Sequence, residues 1–533
     1  MRDRIGKFGP YLLLGAAFVM LIWLNISYGM NWIDSDMAAE MRFSKLLAEE
    51  GRLIATPNWY YSTEFRVLYT QLIMGPLFRI TDNWHVIRIV TNLFFYVFLL
   101  AAYYYCMKPL KVRKQLVVLS SVILLLPFSE TVMTHVHMGN TYIAHMILIF
   151  LFLGMFLRLT QGKEIGRGRR IEICCFYCIL AAVCGISGVR YLLVLQCPLL
   201  LTAVIYLFRS DVFRQFRGQP DRQQFALLAA SEEGRSLGYA VLGMLGSVAG
   251  YGINVLYVAR NFTFRSYDFT NFIAVEEGFF DRIQYALGCL MLMLGYIPDK
   301  GVLSLRGLVT ISVFLLLFIL VFCTVKAFKK AGGKRFFVTL FLVVSFLLNV
   351  FVFVFTTSTM VPRYFLPVFI LVLPMLCVYG EEEELKFDKA AVAVLLAGCL
   401  LLGTAKTVVS LIGNNKNANR QEVAEFLENS EYDFGFATYW NANIITEMTD
   451  GRVEIANIND PETLEYFMWS SPAKYYENGY HEGSVFLLLS WEEELEWLDS
   501  KTLRTGREIY DDGLYSIYVF ESVEALKACG TSE

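Results

Sequence analysis

The sequence predicts a polytopic α-helical membrane protein with a small α/β domain at its C-terminal end. Three observations predict it. The 533 residues are 56% hydrophobic and only 18% charged, where soluble chains have about a quarter of their residues charged. Apolar runs near the length of a bilayer span recur from Tyr11 to about Leu411, and runs of about 18 or more such residues indicate transmembrane helices. Residues 412–533 then return to ordinary soluble composition. The chain therefore divides into a membrane domain, 1–411, with a first external loop at 30–83, and a soluble domain, 412–533.

About eleven spans are expected, near 10–29, 84–106, 115–131, 141–158, 171–187, 190–208, 237–259, 304–325, 336–356, 364–380 and 389–411. The opening stretch MRDRIGKFGPYLLLGAAFVMLIWL has basic flanks and no small-x-small cleavage site, so it reads as a retained signal anchor. Starting with the N-terminus inside, the inside loops become KPLKVRK, RLTQGKEIGRGRR, FRSDVFRQFRGQPDR and KAFKKAGGKR, all rich in Lys and Arg as cytoplasmic loops are. The acidic loop EEEELKFDK strains this topology, although acidic residues contribute little to the rule. The run 287–298 is too short to cross and reads as re-entrant or interfacial. An odd number of spans puts the soluble domain outside with the 30–83 loop, in a plasma-membrane protein whose N-terminus is cytoplasmic. The 11 cysteines lie almost entirely in apolar runs and imply no disulfide framework. No basic–aromatic patch points to nucleic acid.

The first external loop holds the densest set of polar signals, NWIDSDMAAEMRFSKLLAEEG. A helix is expected from about Asp36 to Glu50. Ala39, Phe43, Leu46 and Leu47 lie on one side and Arg42, Lys45 and Glu49 on another, which suits a helix lying on the membrane surface. Asp34, Ser35 and Asp36 stand where an N-cap belongs and Gly51 where the helix stops. A second short helix is expected from Thr63 to about Met74. Asp34 and Asp36 can be caps alone. At the lipid–water boundary a carboxylate can also act as general base on an acceptor hydroxyl, and two can hold a divalent cation, Mg or Mn, against a phosphate.

Anchor, acidic motif, surface helix, many spans and an outside C-terminal domain together resemble the GT-C superfamily of integral membrane glycosyltransferases, which use polyprenyl-phosphate-linked sugars. DSDMAAEMRFSKLLAEEG is similar to the acidic-pair-then-helix segment of the protein O-mannosyltransferases and aminoarabinose transferases. The resemblance makes Asp36, with Asp34 beside it, the catalytic acid of the first external loop. Met37 follows Asp36 where those families show Asp-Glu, and the D-x-D form is nearer to the metal-binding oligosaccharyltransferase type. A W-W-D-x-G acceptor motif is missing from residues 412–533, which argues against Asn-glycosylation. The segment R-Y-x-x-P, beginning at Arg363 and Tyr364, resembles the position that contacts the lipid-linked phosphate, which a guanidinium can clamp bidentately.

Further candidates come from the same face. Arg190 and His137 would join Arg363 and Tyr364 in binding the donor phosphate. His135, in the H-x-H pair with His137, would join Asp34 and Asp36 in a metal site. Glu64, Trp59 and Tyr60 would meet the acceptor or sugar, with the aromatics equally suited to an interface belt. His145, inside a span, reads as a packed core residue. The expected activity is transfer of a hexosyl or pentosyl unit, with inversion, from a polyprenyl-phosphate-sugar donor to a cell-surface glycan, lipid or protein. Membrane lipid is the surrounding solvent. A transporter or flippase, or a polymerase or ligase of lipid-linked glycans, is the alternative.

Overall fold

The computed structural model describes residues 2–161, 165–218, 221–265, 271–273, 278–298, 300–301, 303–460, 464–497 and 501–530. Among them, seven helices are long and apolar enough to cross a membrane, or nine if each of two bent pairs is one span. All eleven expected segments fall on helices, but four depart from a straight crossing. The helix Lys114–Leu125 stops before Pro127, where a missing N–H ends the ladder. Ser129 then caps a new turn by accepting from Val132 N–H at 3.2 Å, and the chain leaves at 87°. Pro362–Phe369 and Val372–Glu382 meet at 41° in a stretch containing Pro367. Ile143–Leu159 is only 17 residues long. Arg167–Ile186 carries Arg167, Arg169, Arg170 and Glu172 in its first turns. The 287–298 run begins inside the helix Phe279–Met293, of 15 residues, and its last five residues lie beyond the helix end.

Small residues set the closest helix approach. A Cβ on Gly185 would meet the Ser247 carbonyl oxygen at 2.0 Å, and one on Gly250 the Ala182 carbonyl oxygen at 1.9 Å. The helices Arg167–Ile186 and Glu232–Ile253 can touch this closely only with no side chain there. Polar groups buried in the membrane domain pair with each other. Asn25 donates to Tyr96 Oη at 2.9 Å, and Asn92 donates to the Met138 carbonyl at 3.1 Å. This network satisfies the irregular backbone after His137, which lipid could not do, and ties it to the first two long helices.

At one end of the bundle the acidic loop resolves the strain it put on the topology. Lys330 donates to Glu383 at 2.7 Å, Arg335 to Glu382 at 2.7 Å, Lys326 to Asp388 at 3.1 Å and Arg113 to Glu381 at 3.1 Å. The carboxylates thus sit among the basic loops and are neutralised by them.

The soluble domain is a six-stranded mixed sheet flanked by helices. The strands of the protein are β1 Trp59–Tyr61, β2 Thr263–Phe264, β3 Phe434–Thr438, β4 Glu454–Asp460, β5 Glu465–Tyr466, β6 Ser471–Pro472, β7 Val485–Ser490, β8 Arg507–Asp511 and β9 Tyr515–Phe520. The order is β5-β4-β3-β7-β9-β8, with β3 parallel to β4 and β7 and the other pairs antiparallel. Val485 to Leu489 are all buried because the sheet is covered on both faces, which explains their continuous apolar run. A second sheet, β2-β1-β6, joins the 30–83 loop, the 263–264 segment and the soluble domain. Trp59 and Tyr60 are therefore strand residues and not an interface belt.

The loop helix, Ser35–Glu49, starts one residue before the expected Asp36 and is capped by Asp34. It does not lie open on a membrane surface. Ten of its fifteen residues are buried, because the soluble domain packs on the helix around Arg42 and leaves only Lys45 and Glu49 of the expected polar face partly open. Arg42, assigned to the polar face, is 3% exposed and donates to the Ile455 carbonyl at 3.0 Å and to Asn443. The second loop helix runs Gln71–Leu77 instead of 63–74. Residues before it are held out of helix by ion pairs from Glu64 and Arg66.

Candidate active site

A cavity of about 370 Å³ opens between the loop helix, the membrane domain and the soluble domain. The loop helix supplies Asp36 and Glu40, one turn apart on the same face. The membrane domain supplies Tyr142, Arg190, Arg363 and Tyr364. The soluble domain closes the third side with Tyr439, Trp440, Phe467 and Trp469. A larger apolar groove of about 930 Å³ lies against the first helix and Lys386–Gly413, but no carboxylate or imidazole lines it. The smaller cavity has the convergent polar groups that a reaction site needs.

The two aspartates have different positions and different work. Asp34 Oδ1 accepts the Met37 N–H at 2.9 Å, an N-cap, and its side chain does not line the cavity. Asp36 faces the cavity. Its Oδ1 accepts from Tyr439 Oη at 2.8 Å, and its Oδ2 lies 3.7 Å from Arg363 Nη2. Burial, and then the Asp36 carboxylate, push the Tyr439 phenol well above its ordinary value, so it remains a donor. Burial and the neighbouring Asp36 push the Asp34 carboxyl up to about 6 from 3.8.

That shift gives a testable sign. The folded chain keeps a proton on Asp34 that the unfolded chain has released, so the associated stability is present below about pH 4 and lost as pH rises through about 6. Asp34→Asn preserves the cap, since Asn and Asp cap equally well, and removes the titration. The variant is expected to be more stable than the parent at pH 7 by roughly 1 kcal/mol, a figure discounted for the carboxylate's remaining exposure. The advantage should shrink towards pH 4 in thermal unfolding of the detergent-purified protein.

A chain of charges runs from Asp36 around the cavity. Glu40 pairs with Arg66 and accepts from Thr70 at 3.3 Å. Burial raises the Glu40 carboxyl, with Arg66 opposing it. Arg66 also lies 3.7 Å from Glu64, which pairs with Arg190. Arg190 donates to Tyr142 Oη at 3.4 Å, and its guanidinium covers the rings of Tyr142 and Tyr364 at 5.6 and 5.8 Å. Arg190 and Arg66 are thus each held by a close carboxylate. Arg363 holds its carboxylate at the longer 3.7 Å, with its side chain 34% exposed.

Several predicted residues do not meet the cavity. His137 is fully buried with its ring 5.9 Å from Tyr96, because the turn Met133–Met138 directs it into the bundle. It is not placed to bind a donor phosphate. Trp59 packs on Phe43 and Tyr60 on Tyr476, at 5.1 and 5.7 Å between ring centres. Neither lines the main cavity. Glu64 stands behind the wall as the counterion of Arg190 instead of facing an acceptor. His135 also stands behind it, with Nδ1 3.2 Å from Thr141 Oγ1. His145 is a core residue, stacked on Tyr191 at 5.3 Å.

The metal site expected from Asp34, Asp36 and His135 is not assembled. Among the described residues no group of three or more His, Cys, Asp or Glu side chains can hold a metal ion. Asp34 is spent on the cap and Asp36 already faces a cation and a hydroxyl donor, so this set does not fit a divalent ion. The residues that sequence reasoning missed are Glu40, Arg66 and the aromatic wall led by Tyr439. Glu40 carried a signal, being four residues after Asp36 on a helix. Tyr439 carried none, since it lies 403 positions away.

No family model and no curated protein matches the sequence. Solved structures do match the fold. The apo structure of ArnT from Cupriavidus metallidurans superposes with TM-score 0.57 at 9% identity, covering 99% of this chain and all of that one. The same protein bound to undecaprenyl phosphate gives 0.57 at 11% identity, covering 96% and 98%. The archaeal oligosaccharyltransferase AglB from Archaeoglobus fulgidus, with an inhibitory peptide and a dolichol-phosphate, gives 0.48 at 12%, covering 92% and 70%. The chain therefore shares the fold of ArnT over nearly its whole length, and its apolar helices make it a multi-pass membrane protein.

Proposed function

We propose that the protein is a membrane glycosyltransferase that moves a sugar from a polyprenyl-phosphate-linked donor to an extracytoplasmic acceptor. The observation that carries the reading is the Asp36–Arg363 pair facing one cavity, a base and a cation 3.7 Å apart. The structural neighbour bound to undecaprenyl phosphate supports a lipid-linked donor. The basic loops support a cytoplasmic N-terminus, with the cavity on the outer side of the plasma membrane.

In this reaction the acceptor oxygen attacks the anomeric carbon, and Asp36 takes the hydroxyl proton. The bond from that carbon to the phosphate oxygen breaks, and the lipid phosphate leaves. Arg363 neutralises the departing charge, with Arg190 and the Tyr364 hydroxyl beside it. Preorganised cations at a developing charge are a large part of such catalysis. Attack opposite the phosphate inverts the anomeric centre. Tyr439 holds Asp36 Oδ1 and leaves Oδ2 toward the cation, so it fixes which oxygen can accept the proton.

The test is purified protein with a labelled polyprenyl-phosphate sugar, in micelles and in proteoliposomes. The expected result is release of lipid phosphate with label in a new glycoside. Movement of intact donor across the bilayer without bond cleavage would make the protein a transporter.

A further inference from the structure

Resting on the reading above, we propose that the soluble-domain wall of the cavity is a saccharide-binding platform, so that the acceptor is a glycan rather than a peptide. The wall is an aromatic cluster in which Trp440 is the open ring, with Tyr439 and Trp469 packed behind it at 7% and 9% exposed. Phe467 and Trp469 stack with ring centres 5.9 Å apart and planes within 10°. Tyr439 meets the edge of both Phe467, at 5.9 Å, and Trp440, at 5.3 Å. Trp440 is 63% exposed, an unusual state for so large an apolar ring beside a polar cavity.

Ring faces carry partial negative charge, and the C–H groups on one face of a pyranose carry partial positive charge. Flat aromatic surfaces therefore suit sugars, whose hydroxyls point outward around the rim. The rim here has the matching groups, Asn459 and Ser470. Carboxylates are few among the described residues of this wall. Among the described residues Glu493 is the one carboxylate that the soluble domain lends to the lining, and that group already accepts from the Ser490 N–H and hydroxyl at 2.7 and 2.8 Å. An uncharged, hydroxyl-rich ligand fits such a surface.

The wall is also built to keep its shape. Asn457, on β4, donates to the Trp469 carbonyl at 2.9 Å, and Arg265 covers the Phe467 ring at 5.3 Å. Tyr439 links this wall to Asp36 at 2.8 Å, so a sugar resting on the adjacent Trp440 ring would have its hydroxyls directed at the base. Pre-organisation of this kind favours binding because little needs ordering.

The experiment is calorimetric titration of the full-length protein in lipid nanodiscs with cellotetraose, maltotetraose and chitotetraose, and separately with a Ser/Thr-rich peptide. At least one oligosaccharide is expected to bind saturably, and Trp440→Ala to weaken it about tenfold or more while Trp440→Phe keeps most of the affinity. Binding of the peptide in place of every saccharide, or of no saccharide, overturns the proposal, as does unchanged saccharide affinity in Trp440→Ala. Donor cleavage is read in parallel. Donor cleaved without saccharide binding overturns this inference alone, and saccharide bound by a protein that never cleaves donor overturns the transferase reading alone.

Discussion

Asp36→Asn is expected to lower transfer from a lipid-linked sugar by about a hundred- to ten-thousandfold, the usual contribution of a positioned acid–base group. The substitution is nearly isosteric. Asn can still accept the Tyr439 hydroxyl through its carbonyl oxygen, so the loop helix and the docked domain should stay in place. What is lost is the group that takes the proton, together with the charge that faces Arg363 at 3.7 Å. The measurement is turnover of labelled donor by purified variant and parent at equal folded concentration. Asp34→Asn, two residues away, should stay within a few-fold of the parent because its carboxylate serves the helix terminus. Full activity in Asp36→Asn would remove this residue from the mechanism.

Glu447→Ala is expected to destabilise the docked soluble domain by about 3–5 kcal/mol, the cost of leaving a buried charge without its partner. Arg88 Nε donates to Glu447 Oε1 at 2.7 Å, with side chains 4% and 0% exposed. Arg88 lies on the helix Trp84–Met107 and Glu447 on the helix Tyr439–Met448. The same soluble-domain helix begins with Tyr439, so loosening one end should withdraw the hydroxyl that Asp36 uses at the other. Activity should fall although no cavity residue has changed. Replacing both partners, as Arg88→Met with Glu447→Leu, should recover much of the stability, because an apolar pair leaves no charge unsatisfied. Thermal unfolding of the parent and the two variants, with hydrogen exchange in residues 439–448, would read this. Equal stability of Glu447→Ala and the parent would show that the pair does not hold the domain.

Local chemistry made some of the site legible. A carboxylate at a helix start, an arginine beside Pro362 and an arginine deep in an apolar run are uncommon, and the cavity contains Asp36, Arg363 and Arg190. The H-x-H spacing was less informative. A wider turn at Met133–Met138 sends His137 into the bundle and leaves His135 behind Thr141. Nearest-neighbour spacing cannot anticipate that change of direction. The aromatics Trp59 and Tyr60 were placed by strand pairing with residues more than 200 positions away, a long-range event with no local signal.

The division between the two levels follows from range. Hydropathy, loop charge and N-cap chemistry act over a few turns, so the sequence by itself determined the membrane class, the helical segments, the soluble α/β domain and the capped loop helix. Which faces of that helix are buried, which arginine answers which carboxylate, and that Tyr439 reaches Asp36 across 403 positions were decided by the docking of the soluble domain. Docking depends on buried pairs such as Arg88 with Glu447 and Arg42 with the Ile455 carbonyl. The partner of Arg88 or Arg42 cannot be read from the sequence, because it lies more than 350 positions away and is met only when the fold takes both out of water.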